Sequence, residues 1–143
     1  MHRSTILTGF LICAFLSVSS CSGMNTKGMT DPLVNILTSQ LDVTANQAKG
    51  GLGSTLTLAK EKLKAPDFES LTKYVPGTES YMKAARDLGA VTGPINDQTG
   101  LQAAYSKLGM SWDKVGKFSQ VLSDYVGSAG GEQAQSFLTS LIR

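Results

Sequence analysis

Thr44-Ala45-Asn46-Gln47-Ala48-Lys49-Gly50-Gly51-Leu52-Gly53-Ser54-Thr55-Leu56-Thr57-Leu58-Ala59-Lys60-Glu61-Lys62-Leu63-Lys64 is the stretch that decides the fold. Thr44 followed three positions later by Gln47 is a capping-box pair: the hydroxyl takes an orphan N–H of the first turn, and the amide returns to the cap backbone. Val43, just ahead, is placed to staple against Ala48. Leu52, Leu56, Ala59 and Leu63 recur at helical spacing. Lys60, Lys62 and Lys64 collect at the far end, where cations complement the helix dipole. The stretch predicts a helix from Thr44 to about Lys64, broken by Ala65-Pro66.

Gly50, Gly51 and Gly53 sit inside that helix, and each costs about 1 kcal/mol relative to alanine. A phosphate cradle does not explain them. Leu56 stands where a dinucleotide fingerprint needs its third glycine, and no lysine follows Gly53 as a P-loop would require. Three readings remain: close approach by a neighbouring helix, a kink, or a ligand touching bare backbone.

Outward from this helix, every other segment also reads as helical. Asp31-Pro32 opens a first helix with Leu33, Ile36, Leu37 and Leu41 on one face. Asp67 to about Tyr74 carries Phe68 and Leu71, and Pro76-Gly77 stops it. Thr78 reads as the cap of a helix from Glu79 to about Leu88. Gly89 to Gly100 is the longest irregular stretch, with Gly93-Pro94 and Asn96-Asp97 as turn signals. Leu101 to Leu108 ends at Gly109, suited to a left-handed C-cap. Ser111 reads as the cap of Trp112 to about Val126, with Phe118, Val121, Leu122 and Tyr125 inward, and Glu132 to Ile142 closes the chain. No segment alternates with period two, so the expected fold is all-α, with about six or seven helices. One faint internal echo stands out: Leu41-Asp42-Val43-Thr44 and Leu108-Gly109-Met110-Ser111 each run apolar, turn, apolar, hydroxyl cap, then a long helix. Two helix-rich halves in one core would produce it.

The first 30 residues read differently. His2 and Arg3, the apolar run Ile6 to Val18, and Val18-Ser19-Ser20-Cys21 resemble the lipobox of bacterial lipoprotein signal peptides. That run is shorter than the roughly 20 residues needed to span hydrocarbon. The expectation is a signal peptide over 1–20, a lipidated Cys21 leading a flexible tether over 21–30, and a single helical domain over 31–143. The lipoprotein resemblance implies acyl chains on Cys21 as the link to the membrane, and Ser22 in the sorting position favours the outer membrane, facing the periplasm. The polar tether Ser22 to Thr30 would reach at most about 30 Å.

Cleavage before Cys21 removes His2 and Cys13, the only histidine and the only other cysteine. Histidine-based nucleophilic sites and Cys/His zinc sites then lack their residues, so no metal, cofactor or catalytic residue is expected and the chain is not read as an enzyme. The whole chain carries 13 Lys plus Arg against 11 Asp plus Glu, a balance that invites no nucleic acid. Asp67, Glu69, Asp97, Asp113, Asp124 and Glu132 are the candidate carboxylates, and the dipole explains those at helix starts. Gly130-Gly131-Glu132 lacks the continuation of a cyclic-dinucleotide cyclase signature and reads as a turn. Trp112, first after a cap, is a candidate surface contact.

Val43-Thr44 with Gln47-Ala48-Lys49-Gly50-Gly51-Leu52-Gly53, then Leu58-Ala59-Lys60, Asp67-Phe68, Val75-Pro76-Gly77, Leu108-Gly109-Met110 and Asp124-Tyr125-Val126 before Gly130-Gly131, form an ordered series. It resembles the bacterial VcgC/VcgE domain of unknown function over about residues 33 to 142. The resemblance implies an all-helical domain of secreted or lipid-anchored proteins and carries no activity or site residues; Thr92 to Thr99 looks inserted relative to it. The function expected from these readings is a membrane-anchored structural or interaction module with an envelope protein partner. The alternative is a binder of a small apolar ligand such as a lipid, held in a cleft near Gly50, Gly51 and Gly53.

Overall fold

Asp31 opens the first helix as its position predicts: its carboxylate accepts from the backbone N–H groups of Leu33 and Val34 at 3.2 and 3.4 Å, and Pro32 takes the first helical place. The structure, a computed structural model that describes residues 31–141, continues as seven helices. They are α1 Pro32–Leu41, α2 Ala45–Lys62, α3 Ala65–Tyr74, α4 Thr78–Asp87, α5 Gln98–Lys107, α6 Trp112–Ser128 and α7 Glu132–Leu141. Among the described residues there is no strand, and the fold is all-α.

The capping box of α2 forms in full: Thr44 Oγ1 accepts from Gln47 N at 3.2 Å, and Gln47 Oε1 accepts from Thr44 N at 2.9 Å. Other ends depart from expectation for local reasons. Ala65-Pro66 opens α3, because a proline in the first turn gives up an N–H that has no helical partner anyway. Gly77, with φ +83°, is the N-cap of α4, and Thr78 lies inside the helix with its hydroxyl donating to Val75 O at 2.6 Å. α5 begins at Gln98, three residues early, because Asp97 caps it by accepting from Gly100 N at 2.7 Å. Ser111 precedes α6 but gives its hydroxyl to the Asp113 carboxylate and caps no backbone N–H. In α1, Val34 is buried while Ile36 is only half-buried.

α2 is the axis of the domain and touches all six other helices. Every residue from Gly50 to Ala59 is buried. A helix enclosed all round normally reads as continuously apolar. α2 manages enclosure with small residues, and its buried hydroxyls are satisfied internally. Ser54 donates to Gly50 O at 2.8 Å and Thr57 to Gly53 O at 2.7 Å. Thr55 pairs with the buried Tyr105 hydroxyl at 3.0 Å, and that hydroxyl also lies 3.2 Å from Gly51 O.

The faint sequence echo extends over six of the seven helices. A shift of 67 residues (112 minus 45) carries α2 onto α6 and α3 onto α7, and brings α1 to within one residue of α5. The contacts exchange accordingly: α1 packs on α6, and its counterpart α5 packs on α2. Gln47 Nε2 donates to Leu108 O at 3.0 Å, and its counterpart Lys114 donates through Nζ to Leu41 O, the counterpart of Leu108. This is the contact pattern of an approximate two-fold. Val34 and Leu101, Ala48 and Val115, Thr55 and Leu122, and Leu71 and Leu138 are corresponding pairs buried in both halves. α4 has no counterpart. It occupies one face of α2, which α3 barely touches, whereas α7 lies along α6.

Candidate functional site

The three glycines of α2 meet three different neighbours. A methyl group at Gly53 would stand 1.9 Å from Tyr81 O and 2.8 Å from Ala85 Cβ, so α2 and α4 cross backbone to backbone there. At Gly51 it would meet the Phe118 ring at 2.6 Å, and at Gly50 the methyls of Leu108 at 2.7 Å and Leu88 at 3.1 Å. α4 therefore runs antiparallel to α2, with Leu88 against Gly50 and Tyr81 against Gly53. Side chains of Leu108, Leu88 and Phe118 and the backbone of α4 at Tyr81 occupy the space directly over the three glycines.

A hollow of about 400 Å³ opens between α6 and α7. α6 supplies Gly116, Ser119, Gln120, Ser123 and Asp124, and α7 supplies Gln135 and Thr139. Six of its seven lining residues carry hydrogen-bonding side chains, although their carbon atoms make up most of the exposed wall. Ser119, at its floor, is buried, and its Oγ has no hydrogen-bond partner among the described residues. A buried hydroxyl in that state costs about 1–3 kcal/mol. The two-fold makes the cost conspicuous, because Ser119 and Ser123 occupy the places that Leu52 and Leu56 hold in the first half. Gly116 leaves the rim open, since a methyl there would touch nothing within 4 Å.

Tyr81 and Asp31 form a second polar junction. Tyr81 donates its hydroxyl to the Asp31 carboxylate, which ties the start of α1 to α4. Burial, reinforced by the hydrogen bond and the charge of Asp31, pushes the Tyr81 pKa well up. The Tyr105 hydroxyl is also pushed up, by complete burial. Its ring meets Phe118 edge-on at 5.3 Å.

The family follows from the extent of the match. Residues 17–142 match the family described as protein of unknown function VcgC/VcgE (DUF2780). The chain belongs to the VcgC/VcgE family. No curated protein and no solved structure matches it.

In this VcgC/VcgE chain, Cys21 and Ser22, with the signal peptide and tether, lie outside the described residues. Of the candidate carboxylates, Asp97 caps α5, while Asp67 and Glu132 lie in the first turns of α3 and α7. Asp113 is held below the usual carboxylate range, chiefly by the Ser111 hydroxyl. Only Asp124 lines the hollow. Among the described residues no three His, Cys, Asp or Glu side chains gather as a metal would require. Sequence reading missed Ser119, Ser123 and Gln135. The shift of 67 would have revealed the first two, as serines where the repeat has leucines. Trp112 is 43 % exposed and Leu88 41 %, the exposed large hydrophobics among the described residues.

Proposed function

We propose that this VcgC/VcgE protein is a lipid-anchored component of the cell envelope, held on the periplasmic side of the outer membrane as a non-catalytic helical interaction module. The observation that carries the reading is the lipobox-like Val18-Ser19-Ser20-Cys21, only ten residues ahead of the Asp31 cap of α1. Acyl chains on Cys21 would supply the attachment, because two or more chains hold durably where one does not. Among the described residues no helix is long and apolar enough to cross a membrane. A core filled by the domain's own side chains suits a rigid platform. The exposed Trp112 and Leu88 supply apolar surface for an envelope protein partner.

Radiolabelled palmitate should enter the wild-type chain, and the label should fractionate with the outer membrane. Cys21→Ser should abolish both while leaving the helical circular dichroism unchanged. Failure of the wild type to take up label would overturn the anchor. Crosslinking in intact envelopes should trap a stoichiometric partner through Trp112, and recovery of monomer alone would overturn the interaction role.

A further inference from the structure

The α6–α7 hollow sits where the two halves of the domain differ in chemistry. At the two positions that are leucine in α2, Leu52 and Leu56, α6 carries serine, and Ser119 and Ser123 are nevertheless buried. Leucine would fill the space and avoid a partnerless hydroxyl. A polar group kept at a core position without an internal partner points to a partner from outside.

The groups around it are uncommitted. The side chains of Gln120, Asp124 and Gln135 line the same hollow, and none of them makes a hydrogen bond to another described residue. Thr139 donates its hydroxyl proton to Gln135 O at 3.0 Å but keeps its lone pairs. Two carboxamides, one carboxylate and hydroxyls form a set that both donates and accepts, as vicinal hydroxyl groups require. No cation lines the hollow, so an anion would face Asp124 without compensation. An apolar molecule would strip water from the amides and hydroxyls without replacing their hydrogen bonds.

We propose that this hollow is a binding site for a neutral polyhydroxy compound the size of a single sugar ring. Asp124 and the carboxamides of Gln120 and Gln135 engage its hydroxyls, with Ser119 and Ser123 at the floor. A volume of about 400 Å³ lies at the small end of ligand pockets. The open rim at Gly116 gives access. Ser119 reaches the ligand by rotation about one bond, Cα–Cβ. The site does not depend on the lipid anchor.

The test is an amide-shift titration of the full isotope-labelled chain in a detergent without a sugar headgroup. Glucose and N-acetylglucosamine are the probes, and putrescine and inorganic phosphate are the charged comparators. At least one sugar should give saturable shifts confined to residues 116–124 and 135–139, with a Kd of about 1 mM. Ser119→Leu with Ser123→Leu, which installs the residues of the first half, should weaken that binding at least about tenfold, a loss of about 1.4 kcal/mol. Gln120→Ala and Asp124→Asn, both at exposed positions that do not threaten folding, should each weaken it several-fold. The proposal is overturned if neither sugar saturates, if a charged comparator binds there and the sugars do not, or if Gln120→Ala with Asp124→Asn leaves the affinity unchanged.

Discussion

Gly51 lies against the ring of Phe118, the residue that occupies its own position in the other half of the domain. Residues near an approximate two-fold meet their own counterparts, and two large side chains cannot share that space. The pair resolves the conflict by size, glycine in α2 and phenylalanine in α6. The glycine run therefore belongs to α2 because α2 is the enclosed member of the pair, approached by α6 at Gly51 and by α4 at Gly53.

The same substitution should change sign between two helical glycines. Gly53→Ala places a methyl 1.9 Å from a backbone oxygen of α4, which cannot move aside without shifting the helix. It should destabilise by about 2 kcal/mol or more, even after the gain in helix propensity. Gly116→Ala meets open space and should stabilise by about 0.5–1 kcal/mol. Urea unfolding read at constant m-value distinguishes the two, and equal effects would contradict the packing described.

Tyr105→Phe removes the hydroxyl that serves both Thr55 and Gly51 O in a fully buried place. The loss should be about 1–3 kcal/mol, because buried partners are left without water to replace it. Pairing the change with Thr55→Val should recover part of it. A double-mutant cycle with no coupling between the two would show that the hydroxyls do not depend on one another.

Stability should fall steeply in alkali. Tyr81 and Tyr105 are both raised in the folded state above their ordinary value of 10.0. Below that pH, folded and unfolded chains hold the same tyrosine protons and the contribution is fully present. Above it the unfolded chain releases protons that the folded chain keeps, so stability is lost by up to about 1.4 kcal/mol per pH unit for each tyrosine. Urea midpoints measured on either side of pH 10 should show the decline, and Tyr105→Phe should flatten it. A slope unaffected by that substitution would place the titration elsewhere.

Thr44, Asp97 and Ser111 each precede a helix, and they should not be equivalent. Thr44→Ala and Asp97→Ala each remove a side-chain cap and should cost about 1 kcal/mol. Ser111→Ala removes only a bond to the exposed Asp113 carboxylate and should cost less than either. Thermal unfolding of the three variants ranks them, and a Ser111→Ala loss as large as that of Thr44→Ala would mean that the serine caps α6 after all.

By itself, the sequence determined what depends on neighbours within about four residues. The all-α class, the capping box at Thr44 and Gln47, the start at Asp31-Pro32 and the left-handed turn at Gly109 are set by local hydrogen bonding and helical spacing. Where two local signals compete, the sequence is ambiguous: Asn96-Asp97 has the composition of a turn although Asp97 caps α5, and Thr78 has that of a cap although Gly77 holds the place, because a side chain's partner is fixed by how the chain enters the helix. Tertiary structure alone decided which neighbour each glycine of α2 admits, that Val34 is buried more deeply than Ile36, and that α4 covers α2 while α7 lies along α6. It also exposed the correspondence between the halves, of which the sequence retained only a few matching types. Burial preserves volume and position across a pair such as Ala48 and Val115 without preserving identity, and Gly51 and Phe118 differ because they share one space. The hollow at Ser119 was invisible for the same reason: a serine becomes conspicuous only once its counterpart is known to be leucine and its hydroxyl is seen to be buried without a partner.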